Sequence, residues 1–360
     1  MTNFNYLILL CLSLFSFAQK GTLEYQYFRG TILQHNPDIA YLTQGHPQGA
    51  MLSYHWQTDG SKEWHHAFNF PSYGFGMQHV LYDHATLGEN YGLGAFYQFY
   101  FWKRRLSLRV QQGIGYNTNP YHRENNPRNT AFGSNWLSNT TLVLQWQKEQ
   151  VWKKFGIQAG LILTHFSNAR LTAPNSGINV LAVQMGLKYH FQEMVEKKID
   201  ANQIQKVTEP IRYQFVWRTG ANVGPIEGMP LRGFQNLILL ADKRLNRKTA
   251  VQLGVEYFHS GFMKDVIQYY SVALQDPPNS NPEMRVGRIG FILGHEWFIN
   301  QFTFETQLGG YLHKGFDYES NWYQRLSLKY YLSQHLFSVI GLKTHGFRAE
   351  AMEIGLGIRI

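Results

Sequence analysis

Cysteine is almost absent from this sequence, and so are long hydrophobic runs beyond the N-terminus. The one cysteine, Cys11, lies in an N-terminal apolar stretch, so no intramolecular disulfide bond can hold the fold. After that stretch no run of about 20 apolar residues occurs, which excludes a bundle of membrane-spanning helices. Charged residues make up only 16% of the 360 residues, far fewer than a disordered chain carries.

Motifs for nucleotides and metals are also missing. No glycine-rich phosphate loop follows a predicted strand. The 15 histidines show neither the His-x-x-x-His spacing nor the carboxylate spacing of a metal site. We therefore expect neither a metal ion nor a cofactor.

Aromatic residues and glycine are abundant, with 25 Phe, 22 Tyr, 9 Trp and 33 Gly. The chain consists of segments of alternating character separated by turn residues, which predicts an all-β protein. In the first half, strands are predicted at 22–34, 47–58, 64–80, 88–102, 105–116, 138–147, 154–166 and 179–192. In the second half they are predicted at 210–223, 231–243, 249–262, 284–298, 301–312, 321–332, 335–345 and 350–360.

The connections alternate between short turns and long loops, a pattern typical of an antiparallel transmembrane β-barrel of the outer membrane. A secreted β-sandwich is the alternative, because it also contains many short strands. The abundant aromatic residues favour the barrel, in which they form belts at both membrane interfaces.

An internal repeat divides the chain. Ser134-Asn135-Trp136 before one strand recurs as Ser320-Asn321-Trp322 before another. We predict two tandem eight-stranded repeats, 19–192 and 210–360, joined by a charged linker over 193–209. They form either two small barrels or one larger barrel.

The N-terminus predicts export. An apolar stretch from Tyr6 to Phe17 has the length of a signal-peptide core, and Ala18 offers a small residue at the cleavage position. Residues 1–18 are therefore predicted to be a signal peptide, and the protein is expected in the outer membrane.

One stretch of the first repeat contains residue types that can form a catalytic site. His165-Phe166-Ser167-Asn168-Ala169 is followed by Pro174-Asn175-Ser176-Gly177-Ile178. This pattern resembles the lipid A 3-O-deacylase family (PagL-type, acyloxyacyl hydrolase), whose members are eight-stranded outer-membrane barrels. The resemblance covers about residues 20–192, with a degenerate repeat after it. It implies a serine hydrolase that removes an ester-linked acyl chain from the lipid A of lipopolysaccharide.

The same resemblance implies roles for individual residues. Ser167 would be the nucleophile and His165 its general base, while Asn168 and the backbone at Ala169 would hold the oxyanion. At position 179 the family has a glutamate, and this chain has Asn179. An amide oxygen can orient the imidazole, but it cannot stabilise the imidazolium by charge, and in serine proteases the corresponding change costs about 10⁴ in kcat.

Alternation along the strands places this motif independently of the resemblance. In 154–166 the odd positions are apolar and the even positions are smaller or more polar, so the odd face is predicted to face lipid. His165 and Ser167 are odd and extend that stripe, and Asn179 lies on the corresponding face of the next strand. With the N-terminus in the periplasm, all three lie at the extracellular end, at the depth of lipopolysaccharide. Polar residues that end a lipid-facing stripe are costly unless they are functional.

Charged residues in the loops complete the prediction. Asp83, Glu89 or Glu124 could supply the negative charge missing at position 179. The net charge is +9, and we expect it to attract the phosphates of lipid A rather than nucleic acid. The candidate contacts to those phosphates are the loop arginines Arg123, Arg128 and Arg170.

The second repeat retains His345 but has Phe347 where a second serine would lie, so no second nucleophile is predicted. Two hypotheses remain for the whole protein. The first is an outer-membrane lipid A esterase, or a close variant that cleaves a phospholipid ester. The second is a non-catalytic barrel, serving as a structural protein, channel or adhesin, that has lost the acid of the triad.

Overall fold

A computed structural model describes residues 21–192, 197–204, 206–273, 286–346 and 348–360. The predicted signal peptide, Phe347 and parts of the predicted linker lie outside these ranges. The described part of the chain is predominantly antiparallel β-strand, and its sixteen strands form two separate closed barrels.

The first barrel contains eight strands, each hydrogen-bonded to its sequence neighbours, and β1 pairs with β8 to close it. The strands are β1 (Thr22–Ile32), β2 (Gln48–Gln57), β3 (Ser72–Leu81), β4 (Glu89–Phe101), β5 (Leu106–Asn117), β6 (Trp136–Trp152), β7 (Phe155–Ser167) and β8 (Ile178–His190). The connections 33–47, 82–88, 118–135 and 168–177 lie at one end, which is the extracellular end in barrels of this kind. At the other end two of the connections are short, but the connection 58–71 is long as well.

The second barrel repeats this arrangement, and β16 pairs with β9 to close it. Its strands are β9 (Arg212–Asn222), β10 (Arg232–Arg244), β11 (Thr249–Ser260), β12 (Gly287–Phe298), β13 (Phe302–Lys314), β14 (Trp322–Tyr331), β15 (Leu336–His345) and β16 (Arg348–Arg359). The choice that the sequence left open is therefore resolved in favour of two eight-stranded barrels.

The predicted strand 64–80 was wrong in nearly its first half. Glu63–Ala67 forms a short helix, α1, and the strand begins only at Ser72. The turn before the helix is fixed by its two histidines, because the His65 ring accepts from the Gly60 N–H and His66 Nε2 lies 2.9 Å from the Gly60 carbonyl. These local hydrogen bonds override the apolar alternation that suggested a longer strand.

A second helix was also missed. Phe262–Ala273 forms α2, directly after β11 and in the long loop that follows it. It buries Phe262, Met263, Val266 and Ile267. These positions recur at helical spacing, so they form one apolar stripe. In the part of the chain that the structure describes, no helix is long and apolar enough to span a membrane.

Side chains fill the interior of the first barrel in two layers. At the extracellular end an apolar cluster includes Phe28, Ile162 and Phe166, together with Phe132 from the loop above them. Towards the other end the interior is polar: Glu24 is fully buried between Arg109 and Lys188. The barrel is therefore a packed core and not a pore, as expected for eight strands.

The interior of the second barrel is a network of buried ion pairs. Arg218 Nη2 lies 2.6 Å from Glu305 Oε2, and Arg325 lies 2.8 Å from Glu353 and 2.7 Å from Glu256. Each buried charge has a partner of opposite sign, which is the condition under which such groups are tolerated in a core.

The chain divides into two compact units. The first comprises Met1–Ser167 and Gly177–Ile204, and the second comprises Asn168–Ser176 and Gln205–Ile360. The segment that follows Ser167 is thus grouped with the second unit, and it is described separately below.

Candidate functional site

His165 and Ser167 lie at the extracellular end of β7, and the residue between them fixes their direction. Phe166 is fully buried in the apolar cluster inside the barrel. Successive side chains of a strand point to opposite faces, so His165 and Ser167 point outwards. Asn179 is the register partner of His165 on β8 and lies on the same face.

The three side chains form a hydrogen-bonded chain. Ser167 Oγ lies 2.9 Å from His165 Nε2, and His165 Nδ1 lies 2.7 Å from Asn179 Oδ1. Since the amide oxygen can only accept, it holds the proton of the imidazole on Nδ1. Nε2 then carries the lone pair, and the Ser167 hydroxyl donates to it. This is the arrangement in which a histidine can act as a base towards a serine.

The structure adds a fourth residue that the sequence did not reveal. Asn179 Nδ2 lies 3.0 Å from Nδ1 of His35, in the loop after β1. The closure of the barrel explains this proximity, because β1 pairs with β8 and the Leu33 N–H donates to the Asn179 carbonyl. The only signal in the sequence was that the first and last strands of a closed barrel must meet.

None of the acids considered as substitutes pairs with His165. Glu89 instead lies 2.8 Å from His79 Nε2 and accepts from the Tyr91 hydroxyl. In the described ranges no carboxylate forms an ion pair with His165. The orienting group at this imidazole is therefore the neutral amide of Asn179.

Gly177 closes the site from the β8 side. Its φ is +69°, and a Cβ atom there would lie 3.0 Å from His165 Cε1 and 3.1 Å from Ser167 Cβ. Its N–H donates to the Ala131 carbonyl, which ties this end of the loop to the loop 118–135. Only glycine combines this conformation with such a close approach to both side chains.

The segment Asn168–Ser176 is held by its own hydrogen bonds. The Asn168 N–H donates to Asn175 Oδ1 at 2.8 Å, and the Asn168 side chain donates to the Thr172 carbonyl. Ala169 and Arg170 both have positive φ angles, 53° and 67°. Such angles are uncommon outside glycine and concentrate at functional positions. Asn175 of the Pro-Asn-x-Gly-Ile pattern thus fixes the backbone that follows the serine.

Two families match this chain, and the matches lie in tandem. Residues 48–188 match the family described as lipid A 3-O-deacylase (PagL), and residues 211–360 match the acyloxyacyl hydrolase, C-terminal domain. The chain belongs to the lipid A 3-O-deacylase family. These deacylases are outer-membrane esterases, and this protein is accordingly an outer-membrane β-barrel whose second barrel is the C-terminal domain of that family.

Three of the solved structures that match this chain have low sequence identity to it. A mutant of the Rh. blastica porin is 6% identical over 94% of this chain and 100% of its own, with a TM-score of 0.21. OccAB3 from Acinetobacter baumannii is 10% identical over 94% and 98%, with a TM-score of 0.22. The siderophore receptor PirA from the same organism is 9% identical over 90% and 43%, with a TM-score of 0.24. Among curated proteins none matches significantly.

The three arginines considered for lipid A phosphates have different environments. Arg123 and Arg128 are exposed in the loop 118–135. Arg170 is half-buried within the second unit, where its guanidinium donates to the Tyr318 hydroxyl at 3.1 Å and packs over the Phe262 ring. Arg123 and Arg128 are therefore the more accessible pair.

The deacylase C-terminal domain contains no comparable serine site at His345. His345 Nε2 lies 3.0 Å from the Tyr311 hydroxyl. Glu319, His345 and Glu350 place their ligand atoms within 4.8 Å of one another. However, Arg288 pairs with both carboxylates and Lys343 lies 3.6 Å from Glu350. The two acids of this group therefore belong to a network of ion pairs with Arg288 and Lys343.

Proposed function

We propose that the first barrel is a serine esterase that removes an ester-linked acyl chain from lipid A. One observation carries the proposal: Ser167, His165 and Asn179 form an unbroken hydrogen-bonded chain on the outer face of the barrel, at its extracellular end. The family match supplies the substrate class. The site lies on the outer face, beside the acyl chains of the outer leaflet, and Ser167 itself is 5% exposed.

In the proposed reaction, Ser167 Oγ attacks the carbonyl carbon of the acyl ester while His165 Nε2 accepts its proton. The tetrahedral intermediate collapses when His165 returns that proton to the leaving sugar oxygen, and the acyl chain stays on Ser167. Water then attacks the acyl-enzyme with His165 again acting as base, which releases the fatty acid. Each step needs Nε2 to alternate between lone pair and proton, which Asn179 permits by holding the other proton on Nδ1.

Two further assignments remain predictions. Asn168 and Ala169 would provide the oxyanion donors, a role consistent with the left-handed backbone at Ala169. Arg123 and Arg128 would contact the phosphates of lipid A, because exposed guanidinium groups bind phosphate well. We keep Arg170 as a third candidate, although its guanidinium already has protein partners.

The non-catalytic alternative is favoured by one observation, which is the neutral orienting group. Without a carboxylate, the imidazolium that forms during the reaction is stabilised only by the dipole of the amide. We therefore expect slow turnover, although the loss should be smaller than the roughly 10⁴ in kcat that the acid-to-amide change costs in serine proteases, where the wrong histidine tautomer contributes as well.

Mass spectrometry of lipid A from cells with and without the protein tests the proposal. Cells that contain the wild-type protein should yield lipid A lacking one ester-linked acyl chain, and Ser167→Ala should abolish that product. Phospholipids from the same cells report whether the ester of a glycerolipid is cleaved instead.

Ser138→Ala provides a matched control. Ser138 is the register partner of Ser167 on β6 and lies on the same face, but its hydroxyl accepts from the Gln112 amide. This variant should process lipid A like the wild type. Intact lipid A in cells whose outer membrane contains folded wild-type protein would refute the esterase and favour the non-catalytic barrel.

A further inference from the structure

The amide of Asn179 lies between two imidazole rings. On one side its Oδ1 is 2.7 Å from His165 Nδ1, and on the other its Nδ2 is 3.0 Å from His35 Nδ1. A glutamate at this position would present an acceptor to both sides. An amide has one accepting end and one donating end, so its direction matters.

Reversing the amide would reverse the histidine. If Nδ2 faced His165, it would donate to Nδ1 and shift the imidazole proton to Nε2. His165 would then donate towards the Ser167 hydroxyl and could not accept its proton. In serine hydrolases the wrong histidine tautomer is a main cause of lost activity when the acid becomes an amide.

We infer that His35 is a positioning residue that selects the productive direction of the Asn179 amide. With its lone pair on Nδ1, His35 accepts from Asn179 Nδ2 and leaves Oδ1 for His165. The inference depends on the proposed esterase for its effect on turnover, but the effect on the His165 tautomer is independent of catalysis.

The loop around His35 is anchored on both sides. The Leu33 N–H donates to the Asn179 carbonyl, and Asn36 caps a short 3-10 helix, Pro37–Leu42, by accepting from the Asp38 N–H. That helix buries Leu42 in the apolar cluster above the barrel. His35 is thus held at the rim by the backbone hydrogen bond of Leu33, the cap of Asn36 and the packing of Leu42.

His35 Nδ1 has a second contact, which competes with the one to Asn179. His35 Nδ1 also lies 3.3 Å from the Leu33 carbonyl, which only a protonated Nδ1 could use. That proton would oppose the N–H groups of Asn179 and favour the reversed amide. The contact with Asn179 is the shorter one, so the accepting form of His35 is the one assigned here.

Nitrogen NMR on the full-length protein labelled with ¹⁵N-histidine, in detergent micelles, tests the inference without any turnover. His165→Gln identifies the His165 signals. In the wild type His165 should carry its proton on Nδ1. His35→Phe, which keeps a ring but offers no acceptor, should shift His165 towards the Nε2-protonated form, and His35→Asn, whose Oδ1 can occupy the place of Nδ1, should restore it.

Deacylation kinetics provide the second readout. His35→Phe should lower kcat about 10- to 100-fold and leave KM unchanged, as loss of an outer hydrogen-bond partner commonly does. In an Asn179→Asp background, where both ends accept, the same substitution should change kcat by less than about twofold.

The outcomes separate the two proposals. An unchanged His165 tautomer in His35→Phe, or equal losses of kcat in both backgrounds, would overturn the role of His35. A tautomer shift in His35→Phe, together with a wild-type protein that cleaves no lipid A, would support the role of His35 and refute the esterase.

Discussion

At the scale of single residues, the site is defined by an amide in the place of an acid. Asn179 keeps the hydrogen bond to His165 at 2.7 Å but contributes no charge. Because register and alternation in strands are regular, the sequence could predict that Ser167, His165 and Asn179 share one face at one end of the barrel, and their catalytic roles stay a prediction. The sequence was not sufficient to find His35, which lies 144 residues from Asn179 and meets it only through barrel closure.

Restoring the charge should raise activity. Asn179→Asp keeps the length of the side chain and places a carboxylate against His165 Nδ1, so it should stabilise the imidazolium of the transition state. We expect kcat for lipid A deacylation to rise at least about tenfold, within the roughly 10⁴ range of the corresponding change in serine proteases. The comparison is made in purified protein at matched concentration, and Asn179→Ala, which removes the orienting group altogether, is the control. A kcat unchanged or lowered by aspartate would mean that charge at this position does not limit the reaction.

At the scale of elements, alternation predicted the faces of the strands well. In β7 the odd residues from Phe155 to Leu163 face outwards and the even ones inwards, as expected. The errors occurred where local hydrogen bonds or a loop intervened: α1 replaced the start of a predicted strand, and α2 lies after β11 in what was read as a loop. Apolar alternation does not reveal short helices that pack on a rim.

The outward face of β7 permits a test of membrane depth. Leu161 lies in the middle of the strand and is 47% exposed, whereas Phe155 is at the periplasmic end and is 40% exposed. Leu161→Arg should lower the free energy of unfolding by about 2–4 kcal/mol, and Phe155→Arg by about 0–1 kcal/mol. Urea titration in lipid vesicles measures both. Equal costs at the two depths would contradict the assigned position of the membrane.

The loop between β13 and β14 should make stability depend on pH. Burial, and then the neighbouring Glu350 carboxylate, raise the pKa of Glu319 from its usual 4.5 to about 7, although Arg288 opposes the shift. Between these two pH values the folded protein therefore binds more protons than the unfolded chain. The stability that protonation of Glu319 contributes is complete below pH 4.5 and is lost as the pH rises through 7.

Glu319→Gln removes this contribution. As the pH rises from about 4 to 8, the unfolding free energy of the wild type should fall relative to that of the variant. The difference should level off above the raised pKa. Asp317→Asn, a substitution of an exposed acid in the same loop, is the control and should show no such trend. A difference independent of pH would show that Glu319 titrates normally.

At the scale of the whole molecule, the repeat predicted sixteen strands correctly but could not decide between one barrel and two. That decision depends on which strands pair at the ends of each repeat, namely β1 with β8 and β9 with β16. Pairing of this kind is a long-range contact without a local signal. The opposed charges inside the second barrel, such as Arg325 with Glu353, were visible only as isolated polar residues.

Because each barrel closes through its own strands, damage to one interior should remain local. Arg325→Ala leaves Glu256 and Glu353 short of a buried partner, which costs about 3–5 kcal/mol. Hydrogen exchange measured by mass spectrometry should rise in β9–β16 and not in β1–β8. Arg109→Ala, which removes one of the two cations that pair with Glu24 in the first barrel, should give the reverse pattern. Increased exchange across both barrels in either variant would mean that they unfold as one cooperative unit.

In the proposed esterase, the outward direction of Ser167 would also determine how the substrate arrives. A serine on the wall of the barrel, beside the apolar stripe of β7, is reached by lateral diffusion within the leaflet and not from bulk water. The concentration that governs its rate is then the number of lipid A molecules per unit area of membrane. Turnover in such a system follows the composition of the surface, so diluting lipid A with an inert lipid slows the reaction, whereas diluting the vesicles with buffer does not.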